Sequence, residues 1–579
     1  MAKIELVCLG GQDEKDKICT ALIIDGDIYV LGCGISTPST ATLGIKKIIA
    51  DFSFLIDNKN KIKGIFIPTP NYNSFGGLEF LLKQIPNVPI YTSHLGQMIL
   101  NNFLERRMGY RKPNYASPVL KTKFNVNAVE PLKPFKVGNV STMAFRVANF
   151  MPSSLGFVFN TSSGAIVFID HFMIPTRVNN ALYDLIDKVN AFARNNILLL
   201  IVGVGKNINH VGFTSPTYSV TNFFENTVLD MPNGGIFAID EEDIYKLLKL
   251  AAIANSKTIP FYIYSGSLAR AFGYMQQNRI INYPKLLYIK EDQLNLVDRG
   301  IVVVAADKQS LFAKLQKIVM GEDQRLAFKT TDTFVYGILT VPGYEKAEAN
   351  LFDSINRLDV ARVTKLPKDI IQLSQSQEDH KFLINILRPK YIIPVNGLYM
   401  DFVKYKEICK AVITPQNNIL LLSNGQFAEF KDDKFISAKR HMKIVEQYIG
   451  NQGLYESGAS GLFECEQMAD SGCVLASLLI DKQTKEIKHF NYNIVGVVNQ
   501  ADEKNQVIIN EINTILNTQI LDVLKAIKPN TGLTRDDQDH FKKQIVKQYE
   551  KKFGKRPLVL LTIIYTDQLN KAKEMINEE

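Results

Sequence analysis

The chain has 579 residues, a formal net charge of +9, 46% hydrophobic and 22% charged residues. That length leaves room for roughly three to four domain-sized units, and the composition is that of an ordinary globular protein. The modest positive charge permits an anionic partner such as RNA without requiring one. The six cysteines (Cys8, Cys19, Cys33, Cys409, Cys465 and Cys473) form no CxxC pair. They read as free thiols of a reducing compartment rather than a disulfide framework. The first residues pass straight into an apolar strand pattern, Ile4 to Leu9, without a charged-then-apolar leader. The longest apolar runs, Ile197 to Val204 and Leu558 to Tyr565, fall far short of the ~20 residues of a membrane span. A cytoplasmic protein with no membrane partner is expected.

In chain order, Ala21–Asp25 and Asp27–Leu31 flank Gly26 and predict a hairpin. Strands follow at Ile65–Ile67, Val88–Tyr91, Thr142–Val147, Leu155–Phe159 and Ile166–Ile169, with helices over Leu78–Gln84 and His94–Arg107. From about Phe213 the pattern becomes regular β-α alternation. Gly235–Ile239, Thr258–Ile263 and Ile301–Ala305 are its strands, with helices over Asp243–Ala254 and Leu311–Met320. That predicts an inserted parallel sheet. Tyr391–Val395 returns as a buried strand. Tyr448 to Ser460, rich in Gly, Asn and Ser, reads as a linker. A small α/β unit closes the chain, with Phe541, Ile545, Val546, Tyr549 and Phe553 on one helical face and Leu558–Tyr565 as its last strand.

The stretch Gly64–Leu82, GIFIPTPNYNSFGGLEFLL, is a strand, a polar loop, Gly76-Gly77 and an amphipathic segment. Many metal hydrolases present their ligands on such a frame, yet Pro68 to Phe75 contains no His, Asp, Glu or Cys.

Several runs together resemble the ribonuclease J family. They include Leu43–Ile67, Phe75–Leu82, Phe145–Gly156 (FRVANFMPSSLG), His210–Val220 (HVGFTSPTYSV), Thr331–Glu345, Ser376–Tyr399 (SQEDHKFLINILRPKYIIPVNGLY) and Arg556–Ile563. They occur in the family's order over essentially the whole chain. The resemblance implies an α/β fold: a metallo-β-lactamase αββα sandwich with an inserted β-CASP parallel-sheet domain and a small C-terminal α/β domain. The corresponding boundaries are 1–212 and 366–440 for the two parts of the sandwich, 213–365 for the insertion, 441–462 for a linker and 463–579 for a dimerisation-type domain.

The same register implies an emptied metal site. The family's His-x-His-x-Asp-His loop falls on Thr69, Asn71, Asn73 and Ser74. Its later metal histidine falls on Asn149, its bridging aspartate on His171 with Asp170 one place earlier, and its last histidine on Asn396. Active members of the family carry zinc or manganese, and such a site needs imidazole and carboxylate ligands to hold cations and lower the pKa of bound water. Amide and hydroxyl groups are poor substitutes, so no cofactor and no catalytic residue is expected here. Asp170 and His171, adjacent at a strand end, are expected to face opposite ways. The family's phosphate-contact motif falls on Ile370–Ser374, which makes Ser374 a candidate RNA contact, and its Asp-Ser-Thr-Asn turn falls on Val204–Asn207.

Two basic clusters are candidates for RNA. Arg106, Arg107, Arg111 and Lys112 interleave with Tyr110, a mixture suited to phosphate contact with base stacking. Lys542, Lys543, Lys547, Lys551, Lys552, Lys555 and Arg556 cover the polar face of the C-terminal helix and read as a solvated face. The resulting expectation is a ribonuclease J-like protein without hydrolytic activity, binding RNA and pairing with an active paralogue or with itself in RNA processing and decay. The alternatives are a nuclease with a site rebuilt from donors such as His171, Asp170 and His210, and a stand-alone RNA-binding protein.

Overall fold

The computed structural model describes the chain except residues 1, 39–44, 110–123, 176–187, 195, 215–216, 290–299, 340–342, 413–417, 451–452, 455–457, 482, 485, 500–501, 527–532 and 568–579. The chain divides into two compact units, Met1–Ser39 with Lys47–Gln447, and Thr40–Lys46 with Tyr448–Glu579. Both are mixed α/β.

In the first unit, eight strands run in the order Lys434–Ser437, Phe427–Lys431, Lys3–Gly10, Cys19–Ile24, Asp27–Leu31, Ile62–Phe66, Ile90–Thr92 and Val126–Ala128. A six-stranded sheet runs Tyr391–Val395, Ile197–Gly203, Gly164–Ile169, Leu155–Thr161, Val140–Arg146 and Pro134–Val137. Alternate residues of both sheets share one buried core, including Leu6, Leu22, Leu31, Phe66, Phe157, Phe159, Phe168, Ile201 and Ile393. The other face of the six-stranded sheet is covered by Gln377–Leu387 and Tyr399–Lys410, through Ile384, Leu387, Phe402 and Tyr405. Burial on both faces explains why Ile197–Gly203 (ILLLIVG) is apolar throughout rather than alternating.

A third sheet is wholly parallel, in the order Leu287–Tyr288, Pro260–Tyr264, Ile301–Ala306, Gly235–Asp240, Thr333–Tyr336 and Arg362–Lys365. Apolar cores cover both its faces. Its strands pair only with one another, whereas Tyr391–Val395 and Phe427–Lys431 return to strands laid down before residue 204. The parallel sheet is therefore inserted into a fold that closes after it.

In the second unit, Ile487–Val495, Cys473–Ile480 and Leu558–Tyr565 form a sheet in that order. One face packs on Glu503–Ala526 and Arg535–Phe553. The helical face read from the sequence forms as expected: Phe541, Ile545 and Tyr549 are buried, and Val546 and Phe553 pack beside them. The Gly- and Asn-rich stretch at Tyr448–Ser460, within this unit, carries local pairing, since Ile449 and Gly450 pair antiparallel with Leu454 and Gly453, and a helix opens at Gly458.

The other sequence differences are small. The Leu78–Gln84 helix and the Tyr391–Val395 strand lie where the sequence places them. The His94 helix is regular to Leu104 and then widens into one looser turn, Glu105–Gly109. Five of the cysteines are buried, and burial pushes the Cys8 thiol up to about 11 and that of Cys19 up to about 12. These are inert packing thiols. Among the described residues no helix is long and apolar enough to cross a membrane.

Candidate functional site

Five segments that follow strands meet at one end of the two larger sheets. They are Pro68–Ser74 after Ile62–Phe66, Ala148–Ser154 after Val140–Arg146, Asp170-His171 after Gly164–Ile169, Val204–Asn207 after Ile197–Gly203, and Asn396 after Tyr391–Val395. Side-chain hydrogen bonds tie the first three and the last together. Two glycines permit the close packing. A Cβ on Gly203 would lie 2.3 Å from the Asp170 carbonyl oxygen, and one on Gly77 would lie 2.8 Å from the Gly34 oxygen. Gly76-Gly77 thus has a packing reason to persist whatever the loop before it contains.

At the centre is Asp170, fully buried. Its Oδ1 accepts from Asn396 Nδ2 at 2.9 Å, and its Oδ2 accepts from the Ser74 hydroxyl at 3.4 Å. His171 Nε2 stands 3.7 Å from the same Oδ2. The two neighbours therefore share one site, contrary to the alternation expected of a strand. The strand ends at Ile169, and Asp170 and His171 lie on the bend beyond it, where the period of two no longer applies.

The two asparagines present their amino groups inward. Asn396 Oδ1 accepts from the Asp16 backbone N–H at 2.7 Å, which leaves Nδ2 for Asp170. Asn149 Oδ1 accepts from the Met151 N–H at 2.8 Å and the Ser154 hydroxyl at 3.0 Å. Its Nδ2 faces Thr69 Oγ1 at 3.3 Å and the His171 carbonyl at 2.9 Å. Each amide orientation is set by an unambiguous backbone donor. Asn396 also holds φ +61°, a left-handed conformation that asparagine tolerates better than most residues.

The remaining loop positions are less engaged. Asn71 is buried with Oδ1 lacking a partner, as does His171 Nδ1, whose ring packs edge-on against Phe150. Asn73 is half-buried, and no hydrogen bond joins its side chain to Asp170. A zinc or manganese pair does not fit this set. An NH2 group has no available lone pair to offer a metal, and each Asp170 oxygen already accepts from one N–H or O–H donor. Among the described residues no group of three or more His, Cys, Asp or Glu side chains is placed to hold a metal. His210, exposed beyond Asn207, does not complete a set with Asp170 and His171.

Two residues that the sequence reading did not single out complete the site. Gln375 Nε2 donates to the carbonyls of Asp170 and Gly203 at 2.8 and 2.5 Å, and its Oε1 accepts from the Phe172 N–H at 3.2 Å. Lys206 is exposed at the rim of these strand ends. Its ammonium is held above the ordinary lysine range, chiefly by Asp16, with burial opposing and Glu242, Asp240 and Asp170 adding. Its charge lies within electrostatic reach of these acidic groups. The signal available in the sequence was a lysine in the turn after the Ile197–Gly203 strand.

Ser374, expected as an RNA contact, is 1% exposed. Its hydroxyl donates to Gln375 Oε1 at 3.0 Å and accepts from the Lys206 N–H at 3.1 Å, so it is engaged within the loop. Arg106 and Arg107 are exposed, Arg107 lying 3.5 Å from Glu79. Tyr110, Arg111 and Lys112 lie outside the described residues. On the last helix Lys552 pairs with Glu511, and after it Arg556 pairs with Glu550 while Lys555 caps the Val497 carbonyl. Much of that basic face is spent within the unit.

His380 is a core histidine. It is fully buried between Phe172 and Tyr405, with Nε2 3.0 Å from the Val204 carbonyl and Nδ1 without a partner. Burial lowers its pKa from 6.5 to about 4, against smaller opposing effects of the Val204 carbonyl and Asp379. Between pH 6.5 and 4 the unfolded chain binds this proton and the native one does not. Stability should therefore be flat above 6.5 and fall as pH drops through that window. The contribution of His380 is on the order of 3 kcal/mol at most. His380→Phe is expected to flatten that part of the curve in urea unfolding; an unchanged pH dependence would refute it.

No family model matches the chain. It is similar to an uncharacterized protein of Mycoplasma genitalium, 35% identical over 97% of this chain and 100% of that one. It is also similar to ribonuclease J2 of Bacillus subtilis, 24% identical over 84% of this chain and 85% of that protein. Ribonuclease J of Synechocystis is 22% identical over 97% of this chain and 86% of its own length. Fold and site together define a mixed α/β protein whose converging strand ends carry amides and hydroxyls around one buried carboxylate. The chain belongs to the ribonuclease J family, as a divergent member.

Proposed function

We propose that this chain binds RNA without hydrolysing it by two-metal chemistry. In RNA processing and decay it serves as the partner of an active relative or of a second copy of itself. The observation that carries this reading is the inward orientation of the Asn149 and Asn396 amino groups, fixed by backbone N–H donors to their oxygens. Where active members need ligands, this chain places donors, and the buried Asp170 accepts from two of them, Asn396 and Ser74. The architecture we assign is a metallo-β-lactamase sandwich (1–212 and 366–440) interrupted by a β-CASP-like domain (213–365). A connecting segment (441–462) and a C-terminal domain (463–579) follow. The insertion of the parallel sheet between strands of the two larger sheets supports it.

RNA as the ligand is supported by the family's name and by exposed Arg106 and Arg107. A pairing role is supported by the second unit's open sheet face. Leu475 and Leu560 are register partners there, 42% and 50% exposed, with Ile564 further along the same face. Such a row of exposed aliphatic side chains is costly unless covered.

A labelled single-stranded RNA is expected to bind the full chain, to weaken steeply with salt, and to be recovered at full length. Arg106→Glu with Arg107→Glu should weaken binding by about tenfold, since each reversal removes one phosphate contact and adds a repulsion. Shortened RNA, or no binding at low salt, would overturn the reading. Isolation of the chain from cells with neither an active relative nor a second copy would remove its pairing half.

A further inference from the structure

A cavity of about 510 Å³ opens in the first unit, beside the emptied strand ends but not part of them. The turn that carries Asn149 into the strand-end site also carries Ser153 and Leu155 into the wall of this cavity. Opposite lie Tyr274 and Arg279 at the end of the Gly266–Gln277 helix, and Ser93 and His94 at the start of the 11-residue helix His94–Leu104. Arg146 closes the wall. Tyr274 Oη donates to the His94 carbonyl at 3.4 Å, which joins the two helices across the cavity.

Its chemistry is that of an anion site. Arg146 and Arg279 are exposed, and among the described residues no carboxylate pairs with either guanidinium. Among the described residues no acidic side chain lines the cavity; Glu130, between two lining residues and within electrostatic reach of His94, is held in an ion pair by Lys133. The amino end of the His94–Leu104 helix, whose Gly96 N–H is capped by the Ser93 hydroxyl at 3.1 Å, adds a positive dipole end. Planar guanidiniums match phosphate oxygens in paired hydrogen bonds. Arg279 has φ +55° directly after the helix cap, where glycine is the usual occupant. Ser153, on the facing wall, also has a positive φ of 61°.

We propose that this cavity is a nucleotide-phosphate site, in which Arg146 and Arg279 clamp one phosphate at the amino end of the His94 helix, next to Tyr274. The volume lies within the ~300–1,000 Å³ of small-ligand sites, with room for one nucleotide. The phosphate comes from a free nucleotide or from one residue of an RNA strand. In the second case the site deepens the RNA-binding reading above and rests on it.

The experiment measures binding of AMP and, separately, of a labelled oligouridylate to the full chain. It compares the natural chain with Arg146→Glu, Arg279→Glu, the Arg-to-Gln pair, the Arg-to-Lys pair, and Arg106→Glu with Arg107→Glu. Circular dichroism melting checks folding, and the Gln pair replaces any Glu variant that melts early. Each reversal is expected to weaken binding by at least about tenfold, with the Lys pair intermediate. AMP binding that responds to Arg146 and Arg279, and not to Arg106 and Arg107, establishes a free-nucleotide site. If AMP fails to bind but the oligomer responds to Arg146 and Arg279, the phosphate belongs to an RNA strand. Oligomer binding indifferent to both arginines, with no AMP binding, overturns the site while leaving the RNA reading intact. AMP binding without oligomer binding does the reverse. Binding of neither ligand overturns both.

Discussion

The purified chain, equilibrated with excess zinc or manganese and then dialysed, is expected to retain less than about 0.1 metal equivalent. A 5′-phosphorylated RNA incubated with it and manganese should remain full length. Protein–metal affinity at such sites comes from deprotonated imidazoles, thiolates and carboxylates. Here the positions implied for ligands hold Thr69, Asn71, Asn73, Ser74, Asn149 and Asn396, and Asp170 already accepts from Asn396 and Ser74. A cation would have to compete with both bonds and turn amides whose oxygens are held by the Asp16 and Met151 N–H groups. Restoring one ligand should not suffice. Asn396→His loses the Asp16 contact and places an imidazole at φ +61°, while the other positions still lack donors. Stoichiometric zinc or manganese in the purified protein, lost together with RNA cleavage on His171→Ala or Asp170→Asn, would sink the proposal of a non-hydrolytic chain.

Phe66→Ala should lower the unfolding free energy of the first unit by about 3–5 kcal/mol. Phe66 is fully buried where the two larger sheets meet, at the end of the strand that delivers the Pro68–Ser74 loop. Its ring stacks on Tyr91 at 5.1 Å and meets Phe157 and Phe159 edge-on at 5.2 and 4.8 Å. Removing it leaves a cavity that three rigid rings cannot refill, which places the cost toward the upper end. Urea unfolding followed by circular dichroism measures it, with Phe66→Leu as the volume-conserving control. A loss below about 1 kcal/mol would show that the sheets relax around the gap and that the core is looser than its packing indicates.

Much of the fold was legible in the sequence. The hairpin about Gly26, the runs Gly235–Ile239 and Ile301–Ala305, and the helical face from Phe541 to Phe553 each carry a local period or composition that specifies an element directly. The absence of metal donors between Pro68 and Phe75 is likewise a fact of composition, visible before any coordinates. The stretch read as a linker shows the limit, since Ile449 and Leu454 pair through backbone bonds that Gly and Asn neither require nor forbid.

What the sequence could not decide are the relations between segments distant along the chain. Asp170 and His171 share a site because the strand stops at Ile169, and no periodicity marks that end. Ser374, polar and aligned with a contact motif, is buried because Gln375, Lys206 and Asn207 close around it. Lys206 gathers meaning only when Asp16, Asp170, Asp240 and Glu242 are brought beside it, and Arg146 and Arg279, 133 positions apart in number, meet at one cavity. Residue types and their spacing determine local backbone and which chemistries are missing. The directions in which side chains point, and the charges that face one another, are settled by long-range packing alone.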